Sequence, residues 1–447
     1  MKKNWDLAVI GAGESGTGAA VLAHSKGLKV FVSDFSEIDQ QYKNVLNQYG
    51  IQWEEGKHSE TAVLSASRIV KSPGIPPWTG IIKKAIQRKI PVIDELELAA
   101  AFTDAFKICI TGSNGKTTTA LLTYHILKKA GLNVALAGNI GKSFARQIAE
   151  KDYDYYVLEI SSFQLDGLID FKADIAVLLN ITPDHLDRYN NRFEDYVKSK
   201  FRIINNQTKD DAFIYCKDDK SITDQLKDQQ ISSRMYSFTK HYNTNSNAYL
   251  NSNKIMINMD EERFDIDTSD LSLTGLHNVY NGMAATIASR LIDVRKEVIK
   301  QSLEEFENIE HRLEFVSKVR GIDFINDSKA TNVNAAWYAL ESMTKPVVWI
   351  AGGVDKGNNY DMLKDLLRSK VKAIVCLGKD NSKIKDNLQN FVPEFIETNT
   401  MEHAVQTAYF IADKGDVVLL SPACASFDLF ENYEERGRKF KQAVYDL

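Results

Sequence analysis

The chain has little cysteine, no long hydrophobic run and no excess of positive charge, and each shortage removes a class of protein. Its four cysteines, Cys109, Cys216, Cys376 and Cys424, include no close pair of the kind that a zinc site or a disulfide scaffold uses. They read as buried apolar residues in a reducing compartment. Lys2 and Lys3 lead into polar Asn4 and a short strand-like run, without the apolar stretch of a signal peptide, and no later run is long enough to cross a bilayer. A cytoplasmic protein with no membrane span is expected. A net charge of −5 gives no electrostatic reason to expect a nucleic-acid partner. Small-molecule substrates are the default.

What is present describes a folded chain of several domains. Hydrophobic residues make up 44% and charged residues 26%, too apolar for disorder, and 447 residues exceed what one core usually organises. Short apolar runs at 7–10, 30–32, 108–110, 157–160, 175–179, 347–350, 374–377 and 417–420 alternate with helical patterns. That alternation predicts an α/β architecture with mainly parallel sheets. The runs form three series, which place domains at 1–97, 98–307 and 308–447. Residues 243–267, rich in Asn and Asp, read as a peripheral insertion of small antiparallel strands.

The most informative stretch is Thr111-Gly112-Ser113-Asn114-Gly115-Lys116-Thr117-Thr118-Thr119, between a predicted strand at 107–110 and a helical pattern at 120–129. A strand, a tight loop and a helix start aim backbone N–H groups and the positive end of the helix dipole at phosphate oxygens. Lys116 would neutralise β/γ charge and Thr117 would ligate Mg²⁺. Ile110 stands where the strict phosphate-loop pattern has glycine, so the match is to a variant form. A second glycine turn, Gly11-Ala12-Gly13-Glu14-Ser15-Gly16, also follows a strand and precedes a helix, with Asp34 at the end of the next strand. By itself it fits a dinucleotide, a diphosphate or no ligand.

Further polar residues follow apolar strands. Glu159 at a strand end beside the phosphate loop is placed to hold Mg²⁺ or its water shell. His185, in Asn180-Ile181-Thr182-Pro183-Asp184-His185, reads as a metal ligand, a substrate-orienting group or a capping histidine. Composition does not choose between Lys198 and Lys200 on the next helix. Glu310-His311-Arg312 and Asn326-Asp327-Ser328-Lys329-Ala330-Thr331-Asn332 suggest either nucleotide contacts or a salt bridge between domains. Gly352-Gly353-Val354-Asp355-Lys356-Gly357 and Ser421-Pro422-Ala423-Cys424-Ala425-Ser426-Phe427-Asp428 each follow an apolar strand and read as two more loops at a ligand-binding edge.

Together and in this order, these motifs resemble the Mur ligase family, over nearly the whole chain, and within it the D-glutamate-adding branch. The resemblance implies a Rossmann-like N-terminal domain that holds a UDP moiety, a central ATPase domain and a C-terminal Rossmann-like domain that brings the amino acid. It implies ATP and two Mg²⁺ ions as cofactors, with UDP-N-acetylmuramoyl-L-alanine and D-glutamate as substrates of a monomer. ATP would meet Gly112, Asn114, Gly115, Lys116, Thr117, Thr118, Asn278, Asn281, Arg312 and Asp327. Ser15, Asp34, Ser72, Gly74, Asn139 and Ser161 would hold the UDP-sugar substrate, and Thr331, Lys356, Ser426, Phe427 and Tyr433 the D-glutamate. Thr117, Glu159, His185 and Lys200 would serve the metals, Lys200 as a carbamate and Lys198 as a surface residue. Lys116, His185, Lys200 and Lys329 are the implied catalytic groups. Phe427 and Tyr433 stand where that branch often has Leu and commonly has Phe.

Overall fold

A computed structural model describes residues 4–259, 262–273, 275–306, 310–355 and 357–447, with Asp187 and Glu262 described by backbone alone. The expected boundary near 308 and the expected site residue Lys356 lie outside the described residues. The chain forms two compact units, one of Met1–Ile181, Arg192–Asp270 and Tyr280–Glu304, the other of Thr182–Asn191, Leu271–Val279 and Glu305–Leu447.

The first unit carries two sheets. In one, β1 (Trp5–Ile10), β2 (Val30–Ser33), β3 (Gln52–Glu54), β4 (Ala66–Lys71) and β5 (Val92–Ile93) lie parallel in the order β3-β2-β1-β4-β5. Alternation along β1 sends Leu7 and Val9 into one apolar cluster, and Ala8 and Ile10 into another. A strand apolar at every position from Leu7 to Ile10 is what a sheet covered on both faces requires.

The second sheet comprises β6 (Phe106–Thr111), β7 (Val134–Gly138), β8 (Tyr155–Glu159), β9 (Ile175–Leu178), β10 (Ala212–Cys216), β11 (Arg234–Thr239), β12 (Ala248–Asn251), β13 (Lys254–Met259) and β14 (Glu262–Asp267). Its order is β14-β13-β12-β11-β10-β9-β6-β8-β7. The stretch at 243–267 is therefore no peripheral insertion. β12 pairs parallel with β11, and the antiparallel β13 and β14 carry the same sheet to its edge. The alternating burial of Ile255, Ile257 and Met259 explains why: one face of β13 is apolar and must join a core.

Residue 98 falls inside the helix Glu95–Ala100, which spans the passage from the first sheet to the second. Three backbone N–H groups, of Ile169, Asp170 and Phe171, donate to the Glu97 carboxylate at 2.9, 2.8 and 3.0 Å. The Asp94 N–H donates to the Gly167 carbonyl. These bonds fasten the two sheets' surroundings together within the unit.

The second unit is built on β15 (Glu314–Val319), β16 (Ile322–Asn326), β17 (Val347–Gly352), β18 (Val371–Leu377), β19 (Glu394–Thr398) and β20 (Val417–Ala423), in the order β15-β16-β20-β17-β18-β19. Only β15 runs antiparallel to its neighbour. Val347, Trp349 and Ala351 face one cluster, and Val348 and Ile350 the other. β20 runs on to Ala423, so Ser421, Pro422 and Ala423, expected in a loop, are strand residues and the loop starts at Cys424. In each sheet one strand has neighbours that lead the chain in opposite directions: β1 between β2 and β4, β6 between β8 and β9, β17 between β18 and β20. Open α/β sheets bind ligands at the carboxyl ends of such strands, and the predicted motifs follow β1, β6 and β17.

Candidate active site

The residues after β6 form a cradle whose curvature comes from two glycines. Gly112 has φ of +155° and Gly115, which caps the helix Lys116–Lys129, has φ of +83°. A side chain at Gly115 would also strike Asn281 Oδ1 at 2.5 Å. Asn180, just past β9, laces the loop: its carbonyl accepts from Ser113 N at 2.9 Å, its Oδ1 from Asn114 N at 2.8 Å, and its Nδ2 donates to the Asn114 carbonyl at 3.0 Å. Lys116 Nζ donates to the carbonyls of Gly112 and Ser113, each at 2.8 Å, which puts its charge at the mouth of the cradle. Thr117 and Thr118 are buried in the first helical turn. Asn281 Oδ1 accepts from Thr119 Oγ1 at 3.2 Å, so Asn281 and the loop lie together in this unit.

Glu159 ends β8 beside Ile110 of β6. It is 2% exposed. Asn139 approaches it twice, donating through its backbone N–H to the Glu159 carbonyl and through Nδ2 to Oε1, both at 2.8 Å. That closeness needs Gly138, where a Cβ would sit 2.2 Å from the Glu159 carbonyl oxygen. A carboxylate oriented in this way supplies hard oxygen donors of the kind Mg²⁺ prefers.

Lys198 and Lys200 part company as expected, with Lys198 exposed and Lys200 only 1% exposed. Lys200 Nζ donates to Thr111 Oγ1 at 3.2 Å and to the Gly112 carbonyl at 2.9 Å, beneath the phosphate cradle. Its amine also lies 5.3 Å from the Tyr196 ring centroid, and Tyr196 Oη shares a 3.0 Å hydrogen bond with Ser113 Oγ.

At the first glycine turn Gly11 has φ of +93°, and a Cβ on Gly16 would lie 1.8 Å from the Gly11 carbonyl oxygen. The helix Glu14–Ser25 therefore starts directly on the end of β1. Asp34 holds this turn: Oδ2 accepts from Ala12 N at 2.7 Å and Oδ1 from Ser36 N at 2.9 Å. Ser72 donates through Oγ to the Gly11 carbonyl at 3.2 Å, and Gly74 sits in the turn closed by the Ile75 N–H donating to the Ser72 carbonyl at 3.0 Å. Ser15 lies in the first turn of the helix. Ser161, across the same unit, caps the helix Ser162–Leu165 in a reciprocal capping box with Gln164.

In the second unit, His185 has φ of +53° and donates through its N–H to Asp184 Oδ1 at 2.9 Å, while Asp184 Oδ2 accepts from Asn332 Nδ2 at 3.3 Å. Asn278 and Arg312 belong to this unit too. Burial pushes the Asp327 carboxyl up to about 7, against a 2.8 Å hydrogen bond from Ser421 Oγ and the Arg312 charge. Lys329 Nζ lies 5.2 Å from the Tyr433 ring centroid. Thr331 follows in the same loop and donates through its N–H to the Lys329 carbonyl. Ser426 is buried, whereas Phe427 is 73% exposed. Arg436 had no place in the sequence reading, since an arginine in a first helical turn looks like a surface residue. It is 2% exposed and donates to Ser328 Oγ at 3.0 Å, the Ser328 carbonyl at 2.8 Å and the Cys424 carbonyl at 3.2 Å, bracing the Lys329 loop against the loop after β20. Asn358 and Tyr360 do the same for the loop after β17. Tyr360 Oη donates to Asp355 Oδ2 at 2.6 Å, and Asn358 Nδ2 to the Ala423 carbonyl at 3.2 Å.

Comparison with known proteins bears on all three sheets. The MurD-like N-terminal domain of Mur ligases matches residues 6–94, the Mur ligase middle domain residues 110–289, and the Mur ligase glutamate ligase domain residues 311–424. The chain is 52% identical over 442 residues to a UDP-N-acetylmuramoylalanine–D-glutamate ligase of Bacteroides fragilis, covering 99% of each. It is 50% identical over 445 residues to the Porphyromonas gingivalis protein of the same name, again covering 99% of each. Its fold matches the solved UDP-N-acetylmuramate-alanine ligase of Thermotoga maritima with a TM-score of 0.64 at 18% identity, over 99% of this chain and 100% of that one. The chain belongs to the Mur ligase family.

Proposed function

We propose that this protein is an ATP-dependent ligase that joins D-glutamate to UDP-N-acetylmuramoyl-L-alanine through an acyl phosphate, in the synthesis of peptidoglycan precursors. The observation that carries this is the phosphate cradle after β6, with Lys116 at its mouth and the Asn139-oriented Glu159 one strand away. The substrate assignment is supported by relatives about half identical over the whole chain that bear the D-glutamate ligase name. Domains at 1–97, 98–307 and 308–447 would divide the work between UDP moiety, ATP and amino acid.

In this reading the alanine carboxylate attacks the γ-phosphate in line, and ADP leaves. Gly112, Asn114, Gly115, Thr118, Asn278, Asn281, Arg312 and Asp327 hold the nucleotide while Lys116 offsets charge on the transferring group. Bound Mg²⁺ supplies further charge stabilisation to the phosphates. Thr117, Glu159, His185 and Lys200 would hold two such ions, Lys200 after its amine takes up CO₂. Its burial beside Thr111 and Gly112 supports that role, because a carbamate there would exchange a cation for oxygen donors. The D-glutamate amine then attacks the acyl carbon and phosphate leaves. Water must be excluded, since it would hydrolyse the mixed anhydride. Ser15, Asp34, Ser72, Gly74, Asn139 and Ser161 would position the UDP-sugar. Thr331, Lys356, Ser426, Phe427 and Tyr433 would position D-glutamate, with Lys329 as a catalytic group close to the reacting atoms. A cytoplasmic monomer is the proposed form. Among the described residues no helix is long and apolar enough to cross a membrane.

The test is phosphate release from ATP and Mg²⁺ with UDP-N-acetylmuramoyl-L-alanine, comparing D-glutamate with L-glutamate, L-lysine and meso-diaminopimelate. Release that depends on D-glutamate, with the amide product seen by mass, is expected. Release with another of these amino acids would keep the ligase and change the step. No release with any of them would overturn the reading.

A further inference from the structure

The loop that carries Asn139 is tied down at both ends. At one end Asn139 bonds twice to Glu159. Four residues later Ser143 caps the helix Phe144–Glu150, accepting from Arg146 N through its own Oγ at 3.0 Å. The Ser143 N–H donates to Glu14 Oε1 at 2.9 Å, and Ala145 N donates to Glu95 Oε1 at 2.5 Å. Both carboxyl groups come from the surroundings of the first sheet, so part of the metal-side loop is held by the nucleotide-side domain.

Glu14 differs from Glu95 in where it starts. It is the fourth residue of the turn Gly11-Ala12-Gly13-Glu14-Ser15-Gly16, next to Ser15. One helical turn on, Gly18 presents the same face, and a Cβ there would lie 1.8 Å from Ser143 Oγ. The helix Glu14–Ser25 is thus pressed against Ser143 at Gly18 and bonded to it at Glu14. A ligand that orders the backbone of the glycine turn acts on Glu14 within one residue, and through Ser143 on the loop that ends at Asn139.

We infer that Glu14 is a positioning residue that couples the glycine turn after β1 to the 138–146 segment, so that binding of the uridine nucleotide substrate steadies Asn139 against Glu159. The inference rests on the proposed substrate only for the identity of the ligand. Coupling of this kind is an energy shared by two sites, and removing the shared bond weakens both.

Hydrogen exchange and calorimetry on the full chain, without ATP or Mg²⁺, test it. In the ligand-free protein, Glu14→Ala should exchange faster than the native chain across the peptide 138–146. Its dissociation constant for UDP-N-acetylmuramoyl-L-alanine should rise about fivefold to tenfold, the lower end of typical coupling between two sites. Glu14→Gln retains an acceptor oxygen and should restore both readings, while in a separate turnover assay with ATP and Mg²⁺ the KM for D-glutamate stays at the native value in either variant. Unchanged exchange in 138–146, or an unchanged dissociation constant, would overturn the coupling. So would equal losses in Glu14→Ala and Glu14→Gln with a matching fall in Tm, since that is a general effect on the fold. If Glu14→Ala melts below the assay temperature, Glu14→Leu replaces it, with apolar packing and no acceptor. The exchange comparison needs no substrate. If the native chain releases no phosphate, the ligase reading fails and the exchange data still decide on Glu14.

Discussion

The two glycine turns of the first unit share one backbone plan and differ in charge. Each follows the carboxyl end of a strand whose neighbours lead away on both sides, and each starts a helix. Each uses glycine at positive φ, Gly11 in one and Gly112 and Gly115 in the other. After the first turn the opening helical residue is Glu14, engaged by Ser143 N; after the second it is Lys116, donating across the loop mouth. A diphosphate ester carries less charge than a triphosphate under attack, and backbone N–H groups with a helix dipole can meet it. Transfer of a γ-phosphoryl group concentrates charge that a lysine must help to hold. On the proposed assignment both turns take anions, and the first side chain of the following helix would sort them.

The sharpest way to break this comparison is at Lys116. Lys116→Ala should lower phosphate release about 10³-fold or more, and calorimetry should find UDP-substrate affinity and Tm unchanged, because the bonds Lys116 makes to Gly112 and Ser113 lie within the phosphate loop itself. A variant with near-native turnover would remove the distinction between the turns. Next in size is the pair of lysines on the helix Phe193–Phe201. Lys200→Ala should cost about 10- to 100-fold in turnover and raise the Mg²⁺ concentration needed for half-maximal rate. Lys198→Ala, an exposed position two residues away, should match the native enzyme. Equal losses at both would return Lys200 to the role of an ordinary buried cation.

A smaller effect is expected from the glycines of the first turn. Gly13 has a negative φ of −77° and open space where a Cβ would go, so Gly13→Ala should be mild. Gly16→Ala would put a methyl group 1.8 Å from the Gly11 carbonyl oxygen. The strand and helix would have to separate, and Tm should fall by about 5–10 °C together with UDP-substrate affinity. Thermal melts of the two variants side by side, with and without that substrate, check whether the turn is as tight as its geometry implies.

How much of this was legible in the sequence depended on the distance between partners. The phosphate loop and Glu159 were readable because each is defined by its own strand or by a motif a few residues long, whereas Lys200 was separated from Lys198 only by the family resemblance. Asn180 was visible as a polar residue after an apolar run, but its work in lacing Ser113 and Asn114 depends on the adjacency of β9 and β6, which sequence spacing does not reveal. Glu14, Glu95 and Arg436 were missed for the same reason, since their acceptors or donors lie 129, 50 and 108 residues away. The edge strands β12 to β14 were recognised as small antiparallel strands, yet their attachment to β11 turned on a parallel pairing of only two residue pairs, Phe238 with Ala248 and Thr239 with Tyr249.

The last effect concerns Glu95, which shares with Glu14 the start of the helix Phe144–Glu150. Glu95 points at the same helix N-terminus, is 0% exposed, and leaves Oε2 without a hydrogen-bond partner among the described residues. Burial, with Asp94 beside it, pushes the Glu95 carboxyl up to about 8. Below that pH Glu95 is neutral, and Glu14 does not face a second anion across Ser143 and Ala145. The sign for stability follows from proton counting. The unfolded chain gives up this proton near the ordinary glutamate value of 4.5, while the folded chain keeps it to about 8, so over that interval the folded state binds more protons. Stability contributed by this group is complete below the lower value and declines by at most about 1.4 kcal/mol per pH unit until the higher one. Glu95→Gln keeps the shape and the acceptor for Ala145 N without the titration. Its Tm relative to the native protein should therefore rise from pH 5 to pH 8.5, and Tm curves that stay parallel over that range would place the Glu95 proton elsewhere.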